Sequence, residues 1–98
     1  MTVILEDQFH AEWHGEFNSW SEALAVLQRL AETPWDQRPN RCPCSNWQTC
    51  HREYELIEYD TSSTPWTEIK RLGGLEVSAK GVEWYADFEN GTLPSGSA

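Results

Sequence analysis

Apolar and polar residues change rhythm several times along the chain, and each rhythm predicts an element. Val3, Ile4 and Leu5 form a short apolar run that reads as a strand. Phe9, Ala11 and Trp13 then alternate with His10, Glu12 and His14, the period of a half-buried strand with a solvated polar face. A hairpin turning near Asp7-Gln8 would connect the two, with a bulge at Gly15 before Phe17.

Ser19-Trp20-Ser21-Glu22 has the form of a capping box, in which the Ser19 hydroxyl accepts from the Glu22 amide and the Glu22 carboxylate reaches back. Trp20, Ala23, Leu24, Leu27, Leu30 and Ala31 then recur at helical spacing. Pro34 disfavours helical geometry at Thr33, so the helix ends near Glu32. Farther on, Glu53 to Tyr59 is rich in strand formers and apolar on both faces, as a central strand is. Thr64-Pro65 reads as a helix start, with Trp66, Ile69 and Leu72 on one face and Gly73 as a left-handed cap. Leu75, Val77 and Ala79, and then Val82, Trp84, Ala86 and Phe88, alternate with polar residues and change phase at Lys80-Gly81. A two-residue turn there predicts a hairpin pairing Ala79 with Val82, Val77 with Trp84 and Leu75 with Ala86. The predicted order is β-β-α-loop-β-α-β-β, an α+β fold with a small antiparallel sheet, one longer helix and one short helix. Residues 1–90 form a single domain, and 91–98, with Pro94 and Gly96, read as a flexible C-terminal tail.

Between the first helix and the central strand, residues 33–52 carry no sustained period and contain Pro34, Pro39 and Pro43. Ser45 and Gln48 can start a short helical turn through Trp47. Structureless segments of about 20 residues are uncommon in compact domains and are usually functional, metal-held or disordered. Charge singles out the same stretch. The chain of 98 residues has a net charge of −9, yet residues 33–52 hold one acid, Asp36, against Arg38, Arg41 and Arg52. The acidic excess disfavours nucleic-acid and membrane surfaces as direct partners. No apolar run approaches the ~20 residues of a spanning helix, and the Met1–Asp7 stretch lacks a basic region before its apolar residues. A cytoplasmic protein is expected, in which disulfides are rare.

All three cysteines fall in the cationic segment, within Cys42-Pro43-Cys44-Ser45-Asn46-Trp47-Gln48-Thr49-Cys50-His51. Three readings compete. A structural zinc site made of Cys42, Cys44, Cys50 and His51 has the right donor set, but adjacent ligands such as Cys50 and His51 point to opposite faces of an extended chain. A thiol-redox site or Cys44–Cys50 disulfide would draw on the arginines to stabilise thiolates, but a helical turn between the two would hold their sulfurs apart. In the third, the cysteines are small buried hydrophobes, and Cys44, Trp47 and Cys50 plug the open end of the core. His10, Glu12 and His14 read as a solvated strand face. No nucleophile triad, phosphate loop or His-Glu-x-x-His pattern is present.

Of the six tryptophans, Trp13, Trp20, Trp66 and Trp84 fall on expected core faces, while Trp35 and Trp47 lie among the arginines. Trp and Arg are the residue types that dominate interface hot spots. The sequence therefore points first to a small non-enzymatic protein-binding module, with Trp35, Arg38, Arg41, Trp47 and Arg52 as contact residues, no required cofactor, another protein as partner and homo-oligomers allowed. A second expectation is the zinc or thiol-redox site. A third is an acidic decoy, of the kind small phage inhibitors use, that mimics nucleic acid to a basic protein.

Overall fold

A computed structural model describes residues 1–85 and Phe88. The elements are β1 (Thr2–Asp7), β2 (Glu12–Phe17), α1 (Trp20–Glu32), β3 (His51–Asp60), β4 (Thr67–Ser78) and β5 (Gly81–Trp84). The strands form one antiparallel sheet in the order β2-β1-β3-β4-β5. Among the described residues the fold is α+β in the order β-β-α-β-β-β, with one helix rather than two. The tail at 91–98 and the pairing expected of Ala86 lie outside the described residues.

α1 follows its sequence pattern. The Ser19 Oγ accepts from the Glu22 amide at 3.1 Å, and the Glu22 carboxylate accepts from the Asn18 amide at 3.0 Å, one residue before the cap. Trp20, Ala23, Leu24, Leu27 and Leu30 are buried. They pack on Val3 and Leu5 of β1, Tyr54 and Leu56 of β3, and Leu75 and Val77 of β4. Each fully buried aliphatic side chain contributes about 1.5–3 kcal/mol, so this layer holds a helix too short to persist alone. β3 is the central strand, and Ile4 and Ile57, paired across β1 and β3, are buried on the sheet face away from α1.

The expected second helix is the first half of β4. Thr67–Leu72 pairs with Leu56–Asp60 and extends the sheet. Two turns of helix would have gained only a narrow apolar stripe, whereas the exposed edge of β3 offered backbone partners along its length. Trp66 and Ile69 are exposed, and Ile69 is the extra residue of a bulge between the Glu58–Lys70 and Tyr59–Glu68 pairs. Gly73 is no helix cap. Gly74 is instead the extra residue of a second bulge, and a Cβ on it would lie 2.8 Å from Leu27 Cδ2 and 2.9 Å from the Tyr54 carbonyl oxygen. The glycine lets helix and sheet approach closely. Gly74→Ala should cost about 1–3 kcal/mol in a urea melt, since backbone as well as a side chain must shift.

The last hairpin forms, two residues out of the expected register. Val77 faces Val82 and Leu75 faces Trp84, with Ala79-Lys80 as the turn and Gly81 at φ +121°. Apolar residues still meet apolar residues because the slip is even. At the other end, the first hairpin turns over residues 8–11, with Ala11 at φ 51°. Phe9 therefore leaves the strand. Trp13, expected in the core, is 57% exposed. The expected bulge is present one residue earlier than Gly15: Leu5 faces Gly15 and Glu6 faces Trp13, leaving His14 extra. That bulge turns the His14 ring inward, edge-on to Tyr54 at 5.2 Å, so the histidine face is not simply solvated.

Candidate functional site

α1 packs on one face of the sheet, and the 33–50 segment reaches the same core through Trp35 and through Asn40, which bonds the buried Tyr54. Two turns shape that segment. The Gln37 amide donates to the Pro34 carbonyl at 3.1 Å and the Arg41 amide to the Gln37 carbonyl at 2.9 Å. The turn expected through Trp47 is present, with the Thr49 amide donating to Asn46 at 3.0 Å and the Cys50 amide to Trp47 at 3.4 Å.

Two buried polar residues fasten the segment to the sheet. Asn40 is 1% exposed. Its Nδ2 donates to the Leu30 and Thr33 carbonyls at 2.8 and 2.9 Å, and its Oδ1 accepts from the Tyr54 hydroxyl at 2.9 Å. Asn40 thus caps the carbonyl end of α1 from ten residues away. Arg52 is the other fastener. Its Nε donates to the Asn40 carbonyl at 2.9 Å and its Nη2 to the Arg41 carbonyl at 2.8 Å. Its Nη1 meets Asp7 Oδ2 at 2.9 Å and Glu12 Oε1 at 3.1 Å. The guanidinium is 4% exposed and joins loop, β1 and β2. Arg52 was expected to touch a partner. Most of its donors are engaged inside the molecule, so it chiefly supports the site, although it lines the floor of the cleft above it.

The Arg52 Nη1 also lies 3.1 Å from His14 Nε2. Burial and then Arg52 push the His14 pKa below its usual range. The ring is uncharged at neutral pH, and its Nε2–H tautomer donates to Glu12 Oε1 at 2.8 Å, a hydrogen bond rather than an ion pair.

Above this support lies an open cleft of about 710 Å³. The loop wall carries Arg38, Pro39, Arg41 and Trp47, and the β2 wall carries Glu12, Trp13 and His14. Trp35 is half-buried against the core, and the Trp47 ring leans on it at 5.4 Å between centroids. The Arg41 guanidinium sits 4.2 Å above the Trp47 ring centroid, a cation–π contact that orders both groups. Of the five expected contact residues, Arg38, Arg41, Trp47 and Arg52 line the cleft, Arg52 as its largely buried floor, and Trp35 anchors Trp47.

Cys42, Cys44 and Cys50 are free thiols, with Cys42 buried. The turn at 45–49 brings the Cys44 and Cys50 sulfurs together, where it was expected to hold them apart. Both lie with a nitrogen of His10, not His51, in a set whose atoms are within 4.8 Å of one another. His10 Nε2 is 3.2 Å from Cys50 Sγ, and His10 Nδ1 is 2.5 Å from Asp7 Oδ2. His51 points the other way, as strand alternation requires; it bonds Glu53 at 3.2 Å and packs on Phe9 at 4.1 Å. Burial alone would raise the Cys50 pKa, but hydrogen bonds from Cys44, Cys42 and His10 outweigh it and bring it down to about 7. Burial, reinforced by Cys50, pushes Cys42 up to about 12. The Asp7–His10–Cys50 line also has the layout of an activated cysteine nucleophile. Cys50 is not among the cleft-lining residues, however, and two more thiols crowd its sulfur.

No family model, curated protein or solved structure matches this chain. The functional assignment rests on geometry. Among the described residues, no helix is long and apolar enough to cross a membrane.

Asp7, His10, Trp13, His14 and Asn40 were not read from the sequence as site residues. Asp7 carried one usable signal, since an Asp before a turn bonds backbone two residues on. Its Oδ1 accepts from the Phe9 amide at 3.1 Å.

Proposed function

We propose that the protein is a non-enzymatic binding module whose cleft takes an acidic peptide segment of another protein. The observation that carries this is the Arg41–Trp47–Trp35 stack beside Arg38, opposite an exposed Trp13. Trp47 and Trp13 supply flat apolar walls, and the two exposed arginines offer forked donors to carboxylates. The cleft's one lining acid, Glu12, is held by the Arg52 guanidinium, which it shares with Asp7, while Arg38 and Arg41 remain open to a ligand. The rest of the molecule is acidic, which repels extended polyanions such as nucleic acid and leaves a short acidic segment as the fitting ligand.

The test is selection of binders from a random peptide display library on the immobilised protein. Enriched sequences should be rich in Asp and Glu. Their affinity should fall about 30-fold in an Arg38→Ala/Arg41→Ala double variant, the loss of one interface hot spot of ~2 kcal/mol. It should also weaken with salt. Enriched peptides without acidic bias, or unchanged binding by the double variant, would refute this reading.

A further inference from the structure

We infer that His10, Cys42, Cys44 and Cys50 form a tetrahedral zinc site, with Asp7 as the carboxylate behind the histidine. This goes beyond the peptide-binding reading and does not depend on it. Three donor atoms, from His10, Cys44 and Cys50, already lie within 4.8 Å of one another. Bonds to zinc of about 2.3 Å for sulfur and about 2.0–2.1 Å for nitrogen set the edges of a tetrahedron at roughly 3.5–3.8 Å. The three atoms need only close around an ion. Cys42 lies outside that set, but it is a buried thiol close enough to interact with both Cys44 and Cys50, and a move toward them would supply the fourth corner.

The support behind the donors fits a metal as well. A zinc-ligating histidine commonly gives its other ring N–H to a carboxylate, which fixes the tautomer that turns the free nitrogen to the ion. His10 does this, with Nδ1 against Asp7 and Nε2 facing Cys50. Asp7 is fixed in turn by Arg52 and by the Glu53 amide at 3.1 Å. Three thiolates and an imidazole are a soft donor set suited to zinc. Cys42 and Cys44 line the cleft, which gives an entry route. The ion would join the 8–11 turn to the 33–50 segment, replacing the thiol protons, which pass to solvent.

Cobalt(II) titration of the reduced, metal-stripped full chain tests this. One cobalt per chain should bind with the intense visible bands of tetrahedral geometry and a near-ultraviolet thiolate charge-transfer band. One equivalent of zinc should abolish both and slow alkylation of all three thiols. Cys50→Ser should lose the bands, and His10→Ala should weaken binding by at least about tenfold. His51→Ala should leave binding unchanged. The wild-type spectrum is decisive even if a ligand variant fails to fold. A faint octahedral spectrum, half a metal per chain, His51→Ala matching His10→Ala, or rapid alkylation of Cys50 alone with zinc present would each overturn the site. The last result would instead favour the isolated Cys–His pair.

Discussion

Replacing Arg52 with methionine should lower the unfolding free energy by about 3–5 kcal/mol, measured by urea denaturation. The size follows from what is left behind. Asp7, fully buried, would lose its cation, and the Asn40 and Arg41 carbonyls would lose donors at 2.9 and 2.8 Å. Lysine keeps the charge, but one ammonium cannot span two carbonyls and two carboxylates in the plane of a guanidinium. Arg52→Lys should still cost about 2 kcal/mol. Arg71 is the internal control. It pairs with Glu68 at 2.8 Å and Glu55 at 3.4 Å at the surface. Arg71→Met should cost no more than about 1 kcal/mol. Equal effects at the two positions would show that Arg52 is not the fastener of the loop.

Asn40→Asp is the second large effect, and its dependence on pH gives the diagnosis. The amide orientation is fixed by its partners, since Nδ2 faces two carbonyl oxygens and Oδ1 faces the Tyr54 hydroxyl. Aspartate keeps the shape but aims a carboxylate oxygen at the Leu30 and Thr33 carbonyls. The loss at pH 7 should be about 2–4 kcal/mol. Burial and those carbonyls raise the folded-state pKa of the new carboxyl above its unfolded value near ~3.9. The sign is therefore fixed. Below that value the carboxyl is protonated in both states, its O–H replaces one lost donor, and most of the penalty is absent. As pH rises, the unfolded chain ionises first and the penalty grows. Paired melts of the variant and the wild-type chain at pH 4 and pH 7 should show the gap narrowing at pH 4. A gap that is constant, or wider at pH 4, contradicts the role assigned to Asn40.

What could be read from the sequence was local and periodic. α1 showed its cap, stripe and stop because all three arise within its own residues. β3 appeared as a two-sided apolar strand because it lies at the centre of the sheet. The errors fall where a distant partner overrides a local signal. Thr64-Pro65 and Gly73 together imitate a helix from cap to cap, yet β3 claims that stretch as a strand and α1 requires the glycine beside it. Phe9, Ala11 and Trp13 imitate strand alternation although a turn runs through Ala11.

The site divides the same way. Its aromatic and cationic composition was visible in one segment, which located Arg38, Arg41 and Trp47. Its support was not visible, because Asp7, His10 and Asn40 act through contacts that cross between segments. His10 and Cys50 are forty positions apart in the chain and 3.2 Å apart in space. Spacing within the cysteine segment correctly argued against His51 as a partner for Cys50, but it could not nominate the histidine that replaces it.

Everything proposed for the cleft requires that residues 40–47 form a fixed wall on the sheet. Backbone 15N relaxation measures this on the unliganded chain. The account predicts order parameters near ~0.85 from Asn40 to Trp47, level with those of β3. Values below ~0.6 across that stretch, with β3 remaining rigid, would contradict it.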